Sequence, residues 1–244
     1  MMSDIWTVMR KELKEIITLG GGSRGGKFSY LIVLGVFGVF VPWQSGRAWV
    51  ESPMVVALWA WLPYFYTATW VADSFAGERE RHTLETLLAS RLSDRAILLG
   101  KLLAIMTYAC GLVWSMAVIG LITVNVGFGQ GTLLLYPPAT AVAMVVATVL
   151  GSGLAASAGI LISLRAATAR QAAQTMSLLI FFLFIPIFGL QLLPAETQAQ
   201  VSLWLEQADL AQIGLLAGGI VLVLDGVLLA AALARFQRAR LILD

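Results

Sequence analysis

Six long apolar runs constrain the fold of this chain more than any other feature. They are Phe28 to Gly46, Met54 to Ala72, Ile97 to Val126, Leu133 to Leu164, Ala172 to Leu193, and Ile213 to Ala234. A helix needs about 20 apolar residues to cross a bilayer core of roughly 30 Å. Of 244 residues 59% are hydrophobic and only 12% charged, with a mean hydropathy of +0.85, whereas soluble domains carry about twice that charged fraction. The expected fold is therefore an all-α integral membrane protein with six transmembrane helices. The third and fourth runs are longer than a bilayer requires, so their ends project or tilt. The first run begins only at Phe28 and has no small-residue cleavage site after it, which argues against a signal peptide.

The placement of charge sets the orientation. Fifteen of the sixteen lysines and arginines fall before the first run, between the second and third (counting Lys101, just inside the start of the third), between the fourth and fifth, or after the sixth; only Arg47 falls elsewhere. The positive-inside rule then puts both termini in the cytoplasm, and an even number of spans agrees. On the outer side Trp43, Trp49, Trp59, Trp61 and Tyr64 cluster around the first loop, as expected of rings at a headgroup boundary. The last external loop, residues 194–212, is acidic. Val201, Trp204 and Leu205 can line one face of a short helix on or dipping into the membrane, or the segment is an ordinary exposed loop.

A glycine-rich stretch, "GGGSRGGKFS", imitates a phosphate-binding loop from Gly21 to Lys27. The resemblance stops where the chemistry begins. Phe28 stands where a hydroxyl must hold Mg²⁺, and neither flank reads as part of a nucleotide-binding sheet. The stretch reads as a flexible linker.

Two polar segments are amphipathic. In residues 4–19, Ile5, Met9, Leu13, Ile16 and Ile17 recur at helical spacing, with Arg10, Lys11, Lys14 and Glu15 elsewhere on the wheel. Such a helix lies in the interface plane, its basic face toward the anionic leaflet. Residues 1–27 form this elbow helix with its hinge, and 28–244 the transmembrane domain. The second segment is "GERERHTLETLLASRLSDRAILLGK", Gly77 to Lys101. As one helix it would gather Leu84, Leu87, Leu88 and Leu92 on one face, opposite Arg79, His82, Thr86 and Ser90. Ser93 is placed to cap the next helix from Asp94. Connecting two spans needs only a few residues, so a loop of this length reads either as a membrane-skimming helix or as a docking surface for a cytoplasmic partner.

At this loop the chain resembles the permease subunit of a type-2 ABC exporter. That family carries G-E-R-E-x-G-T-L-E-x-L-L-x-x-P, then S-x-R and G-K. Gly77, Glu78, Arg79, Glu80, Thr83, Leu84, Glu85, Leu87, Leu88, Ser93, Arg95, Gly100 and Lys101 match, and Arg10 to Leu13 resembles the family's elbow helix. His82 replaces the usual glycine and Arg91 the usual proline. The resemblance implies that loop 77–95 is a coupling helix, with Glu78, Arg79, Glu80, Thr83, Leu84, Glu85, Leu87 and Leu88 meeting a separate nucleotide-binding subunit. ATP and Mg²⁺ would sit on that subunit, and this chain would bind no cofactor. It further implies a second permease copy or a similar permease, a prokaryotic plasma membrane, and room for an extracytoplasmic partner. No nucleic acid is expected.

Within the spans, Asp225 is the one deep carboxylate; it either lines a cation or proton path or hydrogen-bonds a neighbouring helix. Gly151, Ala155 and Gly159 form a small-residue stripe for close helix packing. One histidine and one cysteine make neither a nucleophile with its base nor a metal site, so an intramembrane enzyme is not expected. An ion-coupled secondary transporter using Asp225 is the alternative to the permease, although it would have no use for the long polar loop.

Overall fold

The computed structural model describes residues 1–22, 24–52, 55–207 and 209–236. All regular structure among them is helical. In chain order it comprises α1 (Met2–Gly22), α2 (Arg24–Gly35), α3 (Val41–Ser45), α4 (Ala48–Glu51), α5 (Val55–Asp73), α6 (Ala76–Glu80), α7 (Leu84–Leu88), α8 (Asp94–Phe128), α9 (Pro138–Arg165), α10 (Ala169–Gln191), α11 (Ala195–Gln207) and α12 (Leu210–Arg235). A π-helical turn, Val36–Phe40, joins α2 to α3. Among the described residues, four segments are long and apolar enough to cross a membrane: Val55–Glu80, Asp94–Phe128, Pro138–Arg165 and Ala211–Arg235. Tyr30–Ser45 is a shorter apolar helix. The glycine run is helical up to Gly22 and again from Arg24, while Ser23 between them lies outside the described residues.

The fourth apolar run becomes helical later than its hydropathy indicates. Residues 133–137 run as a loop, because Pro138 pre-sets the first helical position and gives up no needed N–H there. Asn125 of α8 holds that loop: its side-chain amide donates to the Leu134 carbonyl and accepts from the Leu134 N–H, both at 2.8 Å.

Helix α9 is the hub, packing against α5, α8, α10 and α12. Its small-residue stripe explains the close approach to α5. A Cβ on Gly151 would lie 2.8 Å from the Ala60 carbonyl oxygen, and one on Gly159 would lie 2.2 Å from Val71. Among the described residues, two large apolar clusters fill the bundle, beside a small one of Ala72, Ala76, Ala166 and Ala172. One, around Phe75, Ile97, Leu98, Ile160 and Met176, lies toward the end carrying most of the basic residues. The other, around Trp49, Trp59, Val113 and Met116, lies toward the opposite end.

That second cluster corrects the expectation of an aromatic belt. Trp49 and Trp59 are 4% and 1% exposed and meet edge-on with centroids 5.6 Å apart, so they are core residues. Trp43 is exposed and lies 5.6 Å from the Phe128 ring. The difference arises because α4 folds back onto α8, carrying Trp49 inward over Gly120, where a Cβ would lie 2.7 Å from the indole nitrogen.

Helix α1 packs along α8. Ile5, Val8 and Ile16 are buried and Met9 and Leu13 pack against the core, while Ile17, expected on the same face, is exposed. Residues 195–207, in the segment expected to be external, form α11, with Trp204 exposed and Val201 half-buried; the side chain of Leu205 lies outside the described residues.

Candidate functional site

The loop between α5 and α8 does not form one helix. Helix α6 ends after Glu80 because His82 takes a left-handed conformation, φ 57°. Its N–H donates to the Arg79 carbonyl at 3.1 Å, and the Thr83 N–H donates to the Glu78 carbonyl at 2.9 Å. This pair of bonds is a Schellman cap, whose left-handed residue is usually glycine. The expected face of Leu84, Leu87, Leu88 and Leu92 opposite Arg79 and His82 is therefore broken at the cap. The turn that a glycine would make is kept by histidine, at some backbone cost. Helix α7 follows, and Ser93 Oγ accepts from Ala96 N–H at 3.2 Å, so Ser93 caps α8 as its position indicates.

Between them, Gly77 to Arg81 engage α5, α8, α9 and α10. Gly77 lies so close to Asp73 that a Cβ would sit 1.9 Å from its carboxylate. Glu78 is buried, and its Oε1 lies 2.8 Å from Lys101 Nζ of α8. Lys101, 2% exposed, also lies 3.0 Å from Glu12 Oε2 of α1 and 5.5 Å from the Phe75 ring centroid. Glu78 Oε2 is buried with no hydrogen-bond partner among the described residues.

Arg79 reaches the C-terminus of α9, donating to the Leu164 carbonyl at 3.0 Å and to the Ala166 carbonyl. A guanidinium there satisfies orphan carbonyls and the negative end of the helix dipole together. Glu80 does the converse one turn on: its Oε2 accepts from the Ala169 N–H at the start of α10, 3.2 Å away. Arg81 forks back to both oxygens of Asp73 at 3.1 Å, and these hydrogen bonds raise its pKa above the ordinary arginine value.

Beneath them, Ser163 of α9 completes the join. Its buried hydroxyl accepts from the Phe75 and Ala76 N–H groups at 3.1 and 2.9 Å and donates to the Ala72 carbonyl at 2.9 Å. The end of α5, the start of α6 and the end of α9 thus meet at one oxygen. A serine in an apolar run carries little signal of this, because the run reads only as membrane-spanning.

Of the loop residues singled out in the sequence, Glu78 is buried, Leu84 is buried in the core, and Arg79 and Leu87 are half-buried. Glu80, Thr83 and Glu85 are exposed, and the Leu88 side chain lies outside the described residues. Thr86 and Arg91 share the exposed surface. Gly77, Glu78 and Arg79 thus face the bundle, and Thr83, Glu85, Thr86 and Arg91 carry the open surface. Lys101 stood in the sequence only as a matching residue. The signal for its role was a lysine set inside an apolar run, which calls for a buried counter-charge.

Asp225 lies apart from this loop. It is half-buried on α12 against Gly153 of α9, where a Cβ would lie 2.8 Å from its Oδ2. Its Oδ1 is buried without a hydrogen-bond partner among the described residues.

The arrangement suits a loop that must be rigid toward the bundle and open away from it. Residues 47–207 match the model of a family described as ABC-2 family transporter protein. Nothing among curated proteins matches the chain. The matched residues include the loop, its partners in α5, α8, α9 and α10, and well over half of the sequence, so the chain belongs to the ABC-2 family of transporter proteins.

Proposed function

We propose that the chain is the permease subunit of an ATP-binding-cassette exporter, driven by ATP hydrolysis on a separate subunit. Membership of the ABC-2 transporter family supports a membrane subunit that carries no ATP chemistry of its own. On this reading all six apolar runs span the membrane. Helices α2 to α3 and α10 supply the first and fifth spans beside the four long apolar segments. Both termini, the α5–α8 loop and the α9–α10 turn face the cytoplasm, since they hold nearly all the basic residues. Helix α1 is the elbow, lying at the inner leaflet.

The observation that carries the proposal is the division of labour within the loop. Gly77 to Arg81 are tied to α5, α8, α9 and α10, while Thr83, Glu85, Thr86 and Arg91 face outward. A push on the exposed half, delivered by an ATPase that closes around ATP and Mg²⁺, passes into four helices through charge-assisted bonds and packing. Two permease copies with two ATPase subunits complete the transporter. The ion-coupled alternative drew on Asp225, and family membership gives it no support.

Co-expression with the genes that neighbour this one, followed by affinity purification in mild detergent, tests the proposal. An ATP-binding subunit should co-purify, and Glu85→Ala should weaken its retention without lowering the stability of the chain. Purification of the chain with no ATPase activity from any neighbour would contradict it.

A further inference from the structure

Three chain segments meet at one buried ammonium. Glu12 lies on α1, Glu78 on α6 and Lys101 on α8, at 3.0 and 2.8 Å from the lysine Nζ. The residue before the lysine fixes how closely α1 and α8 lie. A Cβ on Gly100 would be 2.6 Å from Val8 and 3.1 Å from the Ile5 carbonyl oxygen, so only glycine lets α1 rest there. The apolar contacts of Ile5, Val8 and Ile16 hold α1 to α8, but such contacts are non-directional and let a helix slide or roll. A buried charge pair does not, because any displacement leaves an unpaired charge in a medium of low dielectric. Lys11, the neighbouring cation of α1, pairs with Glu12 and Glu15 of its own helix. Among the described residues, Lys101 is thus the cation in ion-pair contact with both α1 and the α5–α8 loop, beside a longer-range attraction between Glu15 of α1 and Arg81 of the loop.

We infer that Lys101 is a positioning residue that fastens the N-terminal helix α1 to α6, so that α1 moves with the loop when the ATPase subunit displaces it. This rests on the proposed permease function. The exposed half of the loop receives the displacement, Glu78 carries it inward, and Lys101 divides it between α8 and, through Glu12, α1. A helix lying at the inner leaflet would then move in each ATP cycle.

Amide hydrogen exchange on the complex with its ATP-binding subunit in lipid nanodiscs tests the inference, comparing nucleotide-free samples with samples trapped by ATP and orthovanadate. In the unaltered protein, exchange should change in both residues 77–93 and residues 5–16 on trapping. The neutral triple variant Glu12→Gln, Glu78→Gln, Lys101→Met removes the charges at nearly constant volume, which buried ion clusters tolerate. It should keep the change in the loop and lose that in α1. The reversed triple Glu12→Lys, Glu78→Lys, Lys101→Glu should restore it, which a purely structural role for the lysine does not predict. Should either triple fail to fold, Glu12→Gln alone keeps the Lys101–Glu78 pair and should uncouple α1 in the same way. An α1 that still responds in the neutral variants, or never responds while the loop does, would overturn the inference and leave the permease reading standing. A loop that shows no ATP-dependent change in the unaltered complex would overturn both.

Discussion

Glu78 Oε1 and Lys101 Nζ, 23 residues apart in the chain, meet at 2.8 Å below the loop. With Glu12 as second partner, the lysine carries two carboxylates in a place almost closed to solvent. Lys101→Met alone leaves Glu78 without its cation and Glu12 with only the exposed Lys11, and should cost about 3–5 kcal/mol of stability. Adding Glu12→Gln and Glu78→Gln should recover most of that loss. Thermal unfolding in detergent checks the order, and a single variant as stable as the parent would show that the acids find other partners.

Arg79→Ala should cost about 1.5 kcal/mol, the scale of a charge-assisted hydrogen bond. It should also speed amide exchange around residues 164–170, because the end of α9 loses its cap. Lysine should not rescue it, since a single ammonium lacks the planar fork that reaches two carbonyls. Equal exchange in the Arg79→Ala and parent proteins would disprove the capping role.

His82 makes a left-handed turn that costs an L-residue about 1–2 kcal/mol. His82→Gly should therefore raise stability by up to about 1 kcal/mol, after the extra entropy of glycine in the unfolded chain. His82→Val should lower it. Melting temperatures of the two variants moving in the same direction would rule out the strain argument.

Gly77→Ala forces a methyl group against the Asp73 carboxylate and should cost about 1–3 kcal/mol. Asp73→Ala in the same chain should relieve the clash, so the double variant is more stable than the two separate losses predict. Additive losses would place the fault of Gly77→Ala elsewhere.

The apolar runs made the helical fold legible, because lipid permits only internally bonded segments and their lengths are visible in the sequence. The loop was legible as a motif, and Ser93 as a cap, because these are local patterns. Three things were not. The meeting of Glu12, Glu78 and Lys101 depends on how α1, α6 and α8 pack, which no spacing encodes. Trp49 and Trp59 looked like interface rings because burial depends on the backward fold of α4. The break in the loop helix was half visible: the place of the turn showed in the motif, but histidine hid the backbone conformation.

Co-purification of an ATP-binding subunit tests the account most directly, with Glu85→Arg as the exposed-face variant and Lys101→Met as the buried one. The unaltered chain should retain an ATPase. Glu85→Arg should lose it while melting at the parent temperature, and Lys101→Met should melt earlier. An unaltered chain that retains no ATPase, or a Glu85→Arg chain that retains it fully, would contradict the claim that this loop is the docking surface.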